Sequence, residues 1–179
     1  MHVRNFEIEG PLLLTPKRFE DHRGWFVESW NKSLYEKNGI QCDFIQDNMS
    51  LSRLKHTIRG LHYQVAPYAQ SKLVSVLKGR IMDVVVDVRE ASNTYGRHIS
   101  VTLDSETGDQ LFVPSGFAHG FCTLSDNTQV SYKVDAPYAP DHEKGLLWSD
   151  ADLGIQWPVK AEDAIISDKD RQLPTLKEL

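Results

Sequence analysis

Short β-favouring runs, separated by Gly, Pro, Asn and Asp, constrain the fold of this chain more than any other feature. A chain with many such runs and little helix closes into a barrel or a double-sheet jelly roll. The predicted strands are Trp25–Trp30, Phe44–Asp47, Thr57–Gln64, Lys72–Leu77, Ile81–Val88, Ile99–Leu103, Leu111–Pro114, Phe117–Leu124 and Gln129–Val134. We therefore expect an all-β barrel or jelly roll.

Helical signals are few and lie outside these runs. Asn31–Asn38 reads as a helix, and Gly39 follows at the position where a left-handed stop is favoured. A second short helix is predicted in Ala161–Ile166. No repeat, low-complexity tract or linker divides the 179 residues, so one domain over residues 1–179 is predicted.

Composition limits the classes of binding partner and the cellular location that we expect for this chain. The net charge of −5 argues against a nucleic-acid partner, which normally requires a basic face. The two cysteines, Cys42 and Cys122, follow no metal or redox spacing, as expected in a reducing compartment. The N-terminus has no apolar targeting segment, and no run approaches the length of a membrane span. The expected location is the cytoplasm.

Two neighbouring strong strands flank Lys78-Gly79, which predicts a tight hairpin. A two-residue turn places Val74 opposite Asp83. Lys72 then falls on the same face as Asp83, diagonally across the ladder. The hairpin thus predicts that a lysine and a carboxylate lie close together.

Strand alternation also suggests which polar residues point inward. Along the last predicted strand, Tyr132 shares the apolar face, so its side chain is expected inside. Arg59 and His62 have opposite parity, but Gly60 lies between them and can host a bulge that turns both inward.

A Pro-x-Gly-x-x-His pattern, Pro114 to His119, is similar to the second motif of the cupin barrels. Metal-binding cupins have a first motif with two histidines one residue apart, followed by a carboxylate. Here the corresponding residues are His62 and Gln64, and no Glu follows before Gly79. Because imidazole and carboxylate ligands hold Zn, Fe or Mn, the broken set predicts that there is no metal site.

The barrel interior is expected to hold His62, Lys72, Tyr132 and His119, with Arg59 nearby. A base, a cation and a phenol in one cavity suit proton abstraction beside a carbonyl. An ordinary polar barrel mouth would contain the same residue types, so residue type alone leaves both interpretations open.

Longer motifs run in order through nearly the whole chain at family-like spacing. They are Phe19-x-Asp21-x-Arg23-Gly24-x-Phe26-x-Glu28, Gln46-Asp47-Asn48-x-Ser50, Arg59-Gly60-Leu61-His62-Tyr63-Gln64, Gln70-Ser71-Lys72-Leu73-Val74, Pro114-Ser115-Gly116-Phe117-Ala118-His119-Gly120-Phe121, Tyr132-Lys133, Leu147-Trp148-x-Asp150, Gly154-Ile155-x-Trp157-Pro158 and Ser167-Asp168-Lys169-Asp170. Together they make the chain resemble the dTDP-4-dehydrorhamnose 3,5-epimerase family.

The resemblance implies a cupin-like jelly-roll homodimer, without metal or cofactor, that acts in rhamnose nucleotide biosynthesis. Its substrate would be dTDP-4-dehydro-6-deoxy-D-glucose and its product dTDP-4-dehydro-L-rhamnose. The implied catalytic residues are His62 as base, Asp170 as its orienting partner, Tyr132 as acid, Lys72 at the C4 oxygen and Asp83 as a residue that positions Lys72. Asp168 lies two residues from Asp170, and the sequence does not choose between them.

The same resemblance implies substrate-binding positions along the chain. They are Arg23, Glu28, Gln46, Asn48, Arg59, His119, Tyr138, Glu143 and Lys169. Arg59 and His119 would hold the sugar diphosphate, and Tyr138 would stack on thymine. Arg23 and Glu28 are expected to come from the partner subunit.

Three alternatives stay open at this point. An epimerase that inverts only one carbon would share the barrel and the base. A metal-dependent cupin isomerase or dioxygenase is opposed by Gln64. A sugar-nucleotide binding protein without activity would not require His62, Lys72 and Tyr132 around one ring.

Overall fold

Thirteen β-strands form most of the computed structural model, which describes residues 1–179. The strands are β1 His2–Asn5, β2 Leu12–Thr15, β3 Arg18–Asp21, β4 Gly24–Val27, β5 Gln46–Ser52, β6 Ile58–Gln64, β7 Lys72–Lys78, β8 Arg80–Asp87, β9 His98–Asp104, β10 Gln110–Val113, β11 Phe117–Thr123, β12 Thr128–Val134 and β13 Glu143–Gly145.

These strands form two main sheets that face each other. The six-stranded sheet has the order β1-β2-β10-β7-β12-β5, and the five-stranded sheet has the order β13-β6-β11-β8-β9. Strands β3 and β4 form a separate hairpin. The central core lies between the sheets, where Val76 and Val130 of one meet Ile81, Leu103 and Phe121 of the other. The predicted all-β jelly-roll class is confirmed.

Helices are short and peripheral. Helix α1, Lys32–Glu36, lies within the predicted Asn31–Asn38, and the Asn31 side chain caps it by accepting from the Leu34 amide. Helix α2 spans Asp168–Arg171. Three 3-10 turns occupy Pro140–His142, Ala161–Asp163 and Leu176–Glu178. The predicted Ala161–Ile166 helix is thus reduced to one 3-10 turn. None of the helices has the length and apolarity needed to cross a membrane.

The predicted hairpin at Lys78-Gly79 is wrong. Strand β7 pairs with β10 and β12, whereas β8 pairs with β9 and β11, so the chain changes sheets at this turn. Val74 is therefore paired with Tyr132 and not with Asp83. Alternating apolar residues satisfy either arrangement, because two strands can bury the same face beside each other or across a core.

The predicted bulge at Gly60 is present. His62 pairs with His119 and Arg59 with Phe121, so β6 has one residue more than β11 between these pairs. Gly60 has φ +102, and a Cβ there would lie 2.6 Å from the carbonyl oxygen of His119. Both the backbone angle and the close approach therefore require glycine.

We expect Gly60→Ala to lower the free energy of unfolding by at least about 2 kcal/mol, because it adds overpacking to backbone strain. Gly24→Ala is the matched control, since Gly24 also has a positive φ but no atom within 4 Å of the added Cβ. Urea unfolding of both variants would measure the difference. Equal losses of stability would contradict the role of the close contact.

Candidate active site

A cavity of about 630 Å³ opens between the two sheets. Most of the predicted site residues line it: Arg59, His62, Lys72, His119, Tyr132, Tyr138, Glu143, Lys169 and Asp170. The strands of both sheets contribute to this lining, so groups that are far apart in the sequence face one space.

His62 is held by Asp170 inside this cavity. The His62 Nε2 lies 2.8 Å from Asp170 Oδ1, and the other carboxylate oxygen accepts the Gly60 N–H at 3.1 Å. Burial opposes the charged form of Asp170, but the hydrogen bonds from His62 and Gly60 outweigh it and lower its pKa. Asp168 is exposed, so Asp170 is the carboxylate that contacts His62. This contact orients the imidazole and leaves its Nδ1 without a protein partner.

Tyr132 lines the cavity from the other sheet. It lies on β12 of the six-stranded sheet, whereas His62 lies on β6 of the five-stranded sheet. Burial raises the pKa of Tyr132, and the charge of Arg59 opposes this rise only in part. The phenol therefore keeps its proton at neutral pH and can donate it.

Lys72 places a positive charge beside these two residues. Its Nζ donates to the carbonyl oxygen of His62 at 3.1 Å. Burial lowers the pKa of Lys72 to about 8, although the negative charges of Asp83 and Glu143 oppose the shift. Lys72 is thus still mostly protonated at neutral pH and can stabilise a developing oxyanion.

Asp83 lies behind the cavity wall and contacts His119. The His119 Nε2 is 2.8 Å from Asp83 Oδ1, and Asp83 is fully buried. Its other oxygen, Oδ2, has no hydrogen-bond partner. Asp83 therefore makes no hydrogen bond to Lys72, and it acts on Lys72 through its charge.

The cavity mouth is formed by Tyr138, Glu143 and Lys169. The Tyr138 hydroxyl donates to Glu143 Oε2 at 2.8 Å, and the Lys169 ammonium donates to the same oxygen. Tyr138 is 58% exposed, so its ring is available to a ligand. Glu143 keeps a lowered pKa despite partial burial, because Lys169 and Tyr138 donate to it.

Arg23 and Glu28 do not line the cavity of their own chain. Arg23 is exposed at the turn of the β3–β4 hairpin, where its guanidinium lies 2.6 Å from Asp21. Glu28 follows the same hairpin and accepts from the Asn31 side chain at 3.2 Å.

Gln46 and Asn48 also lie outside the cavity lining, on the edge strand β5. Asn48 is paired with Tyr132, so it shares the inner face of the sheet with that residue. The Gln46 side chain donates to Asn48 at 2.8 Å. These two residues extend the polar surface from the cavity along the sheet edge.

Sequence reasoning missed some residues of the site. Gln70 lines the cavity and donates to the Ala136 carbonyl at 2.6 Å, and Ser167 caps α2 by accepting from the Asp170 amide. The spacing of Ser167 and Asp170 is a helix-start signal that could have found this cap. No comparable local signal marks Gln70.

The ligand set of a metal site is not assembled here. No group of three or more His, Cys, Asp or Glu side chains is placed to hold a metal ion. Gln64 stands where a second histidine would be, and its amide binds three backbone groups.

The fold and the site define a class first: this is a jelly-roll protein whose two sheets enclose a polar cavity with a candidate base, cation and acid. The family model for dTDP-4-dehydrorhamnose 3,5-epimerase matches residues 5–178, and the chain belongs to this family. The chain is 46% identical to the dTDP-4-dehydrorhamnose 3,5-epimerase of Sinorhizobium fredii, covering 100% of this chain and 91% of that protein. The predicted family and enzyme class are confirmed.

Solved structures agree with this assignment. The dTDP-4-dehydrorhamnose 3,5-epimerase of Bacillus anthracis, with TDP and PPi bound, has a TM-score of 0.94 and 48% identity, covering 97% of this chain and 98% of that chain. The Legionella pneumophila enzyme, in complex with dTDP-4-keto-L-rhamnose, has a TM-score of 0.93 and 40% identity, covering 98% and 93%.

Burial of Lys72 leads to a prediction about stability. The buried charge of Lys72 destabilises the folded state, so replacing it with methionine should stabilise the protein. Between pH 8 and 10.5 the unfolded chain binds more protons than the folded chain, so the wild type becomes more stable as pH rises. The advantage of Lys72→Met over wild type therefore shrinks through this range. At pH 7 we expect Lys72→Met to raise the free energy of unfolding by on the order of 2 kcal/mol. Urea unfolding at pH 7 and pH 10 would measure both effects.

Lys78→Met is the matched control, because Lys78 is exposed at the end of the same strand. It should change stability by less than about 0.5 kcal/mol. A Lys72→Met protein no more stable than wild type at pH 7 would show that burial does not penalise this charge.

Proposed function

We propose that the enzyme converts dTDP-4-dehydro-6-deoxy-D-glucose to dTDP-4-dehydro-L-rhamnose by inverting C3 and C5. The observation that carries this proposal is the His62–Asp170 pair, 2.8 Å apart, facing the same cavity as Tyr132 on the opposite sheet. A base and an acid on opposite sides of one ring are what inversion at carbon requires.

The proposed reaction starts at a carbon beside the C4 ketone, which acidifies the protons on C3 and C5. The His62 imidazole removes one proton, and Asp170 supports the imidazolium that forms. The electrons of the broken C–H bond move to the C4 oxygen, where Lys72 stabilises the enolate. Tyr132 then returns a proton to the carbon from the opposite face, and the ketone forms again.

The balance of this reaction requires no oxidant or reductant. One proton leaves and one returns at each carbon, so no hydride moves and no redox cofactor enters the proposal. Solvent restores the proton of Tyr132 and takes the proton of His62 between the two inversions.

The nucleoside diphosphate is proposed to extend from the sugar inside the cavity to the cavity mouth. Arg59 is held in place by hydrogen bonds to Ser52 and to the Leu51 carbonyl, and with His119 it would contact the diphosphate. The exposed ring of Tyr138 would stack on thymine. Glu143 and Lys169 would contact the substrate at the mouth, and Gln46 and Asn48 along the sheet edge.

The test is the reaction in deuterated water, followed by mass spectrometry and NMR of the product. Wild type should incorporate deuterium at both C3 and C5, because each carbon receives a solvent-derived proton. His62→Ala should be folded and at least about 10³-fold slower, and loss of Lys72 should cost on the order of 10²–10³ in turnover.

His2→Ala is the control for His62→Ala, since His2 lies on β1, outside the cavity. Deuterium at one carbon would indicate an enzyme that inverts only that carbon. Tight substrate binding without exchange would indicate a binding protein, and activity that depends on a stoichiometric metal would indicate a metal-dependent cupin.

A homodimer is part of the proposal. Phe19, Trp25 and Phe26 are 52%, 55% and 65% exposed on the β3–β4 hairpin, an apolar surface suited to burial against a second copy. The same hairpin carries Arg23, and Glu28 follows it. Docking the hairpin on the partner would bring both residues to the partner's cavity.

Mixed dimers would test this arrangement. Co-expressed Arg23→Ala and His62→Ala chains should recover about a quarter of wild-type activity, because half the dimers are mixed and each has one intact site. If Arg23 served its own chain, neither site of a mixed dimer would be intact and activity would stay at the level of the single variants. Size-exclusion chromatography with light scattering would confirm that the dimers form.

The cytoplasm is the proposed location. The free thiols of Cys42 and Cys122 support it, because a reducing compartment keeps cysteines unpaired.

A further inference from the structure

Gln64 is almost completely buried, with 6% of its surface exposed, and it lies at the end of β6 beside the cavity. Its Nε2 donates to the carbonyl oxygens of Tyr68 at 2.7 Å and Pro137 at 3.1 Å. Its Oε1 accepts the backbone N–H of Ala139 at 2.8 Å. Both donor hydrogens and the acceptor oxygen are therefore used.

Two of these three bonds bracket Tyr138. The Pro137 carbonyl precedes this residue and the Ala139 amide follows it, so one side chain holds both neighbouring backbone groups. Residues 135–139 belong to no strand, and their backbone therefore lacks the support of a sheet ladder. The only side-chain hydrogen bond of Tyr138 itself is the one to Glu143.

We propose that Gln64 is a positioning residue that sets affinity for the nucleoside-diphosphate part of the substrate by holding Tyr138 at the cavity mouth. This proposal rests on the proposed function, in which the Tyr138 ring contacts the base. Gln64 does not act on the sugar carbons, because its amide is bound to the loop backbone. Its loss should therefore weaken binding and leave the proton transfers at His62 and Tyr132 nearly intact.

The experiment compares Gln64→Met with wild type. Methionine keeps the length of the side chain but cannot donate to Tyr68 or Pro137 or bind the Ala139 amide well. We expect dTDP to bind about 10–100-fold more weakly by calorimetry and KM for the keto sugar to rise similarly. The kcat at saturation should stay within about threefold. Gln156→Met is the matched control, because Gln156 is exposed and does not line the cavity.

A merely structural role for Gln64 would instead lower thermal stability and kcat without a selective loss of dTDP affinity. A double-mutant cycle separates the two interpretations. In a Tyr138→Ala background, Gln64→Met should weaken dTDP binding by less than about twofold, because the group that it positions is already gone. Additive losses would overturn the proposal, as would unchanged dTDP affinity in the single variant.

Gln64→Asn is a second route to the same result if Gln64→Met does not fold. It keeps an amide at this position but is one methylene shorter, so it cannot hold Pro137 and Ala139 together with Tyr68 and should also raise KM more than it lowers kcat. Wild-type dTDP affinity in this variant would overturn the proposal. Deuterium exchange by wild type tests the reaction independently, so the failure of one proposal is distinguishable from the failure of the other.

Discussion

The close approach of β6 and β11 underlies the whole site. A Cβ on Gly60 would lie 2.8 Å from the Cα of Gly120, and a Cβ on Gly120 would lie 2.6 Å from the Arg59 carbonyl oxygen. Two glycines therefore allow β6 to carry an extra residue while it stays paired. That residue turns Arg59 and His62 toward one cavity, and it directs the Gly60 N–H at Asp170. The backbone of β6 thus helps to set the orientation of the proposed base, His62.

The two facing sheets divide the chemistry between them. His62 comes from the five-stranded sheet, and Lys72 and Tyr132 come from the six-stranded sheet, so a sugar ring in the cavity would meet them from opposite sides. Burial shifts the pKa of both Tyr132 and Lys72 toward the uncharged form. It raises the pKa of Tyr132, which keeps the acid protonated, and it lowers the pKa of Lys72 to about 8. Because Lys72 stays mostly protonated at neutral pH, it is a poorly solvated cation that can strongly stabilise a developing oxyanion.

Local sequence patterns predicted most of the fold, because the central strands either alternate apolar and polar residues or are apolar throughout. They failed where structure depends on distant partners: β2 (Leu12–Thr15) is too short to signal alone, and it is stabilised by β1 and β10. The wrong hairpin prediction at Lys78-Gly79 has the same origin. Alternating apolar residues do not show whether two consecutive strands pair in one sheet or face each other across the core. Within the site, the alternation of inward and outward residues predicted that the Tyr132 side chain points inward. The possible bulge at Gly60 predicted the same for His62. The choice of Asp170 over Asp168 needed the tertiary position of α2, which no local rule supplies.

Position 64 links the barrel to its loops. Gln64 shares a strand face with His62, where a metal-binding barrel of this type would place its second imidazole. An amide there offers two donors and an acceptor, and all three are directed to backbone groups of the loops that follow β6 and β12. An imidazole could not hold both the Pro137 carbonyl and the Ala139 amide together with Tyr68, because it has only two nitrogens. Glutamine in place of a second histidine therefore removes a metal ligand and at the same time supports the cavity mouth. Through its hydrogen bonds, Gln64 also connects the strand that carries the proposed base to the segment that carries Tyr138.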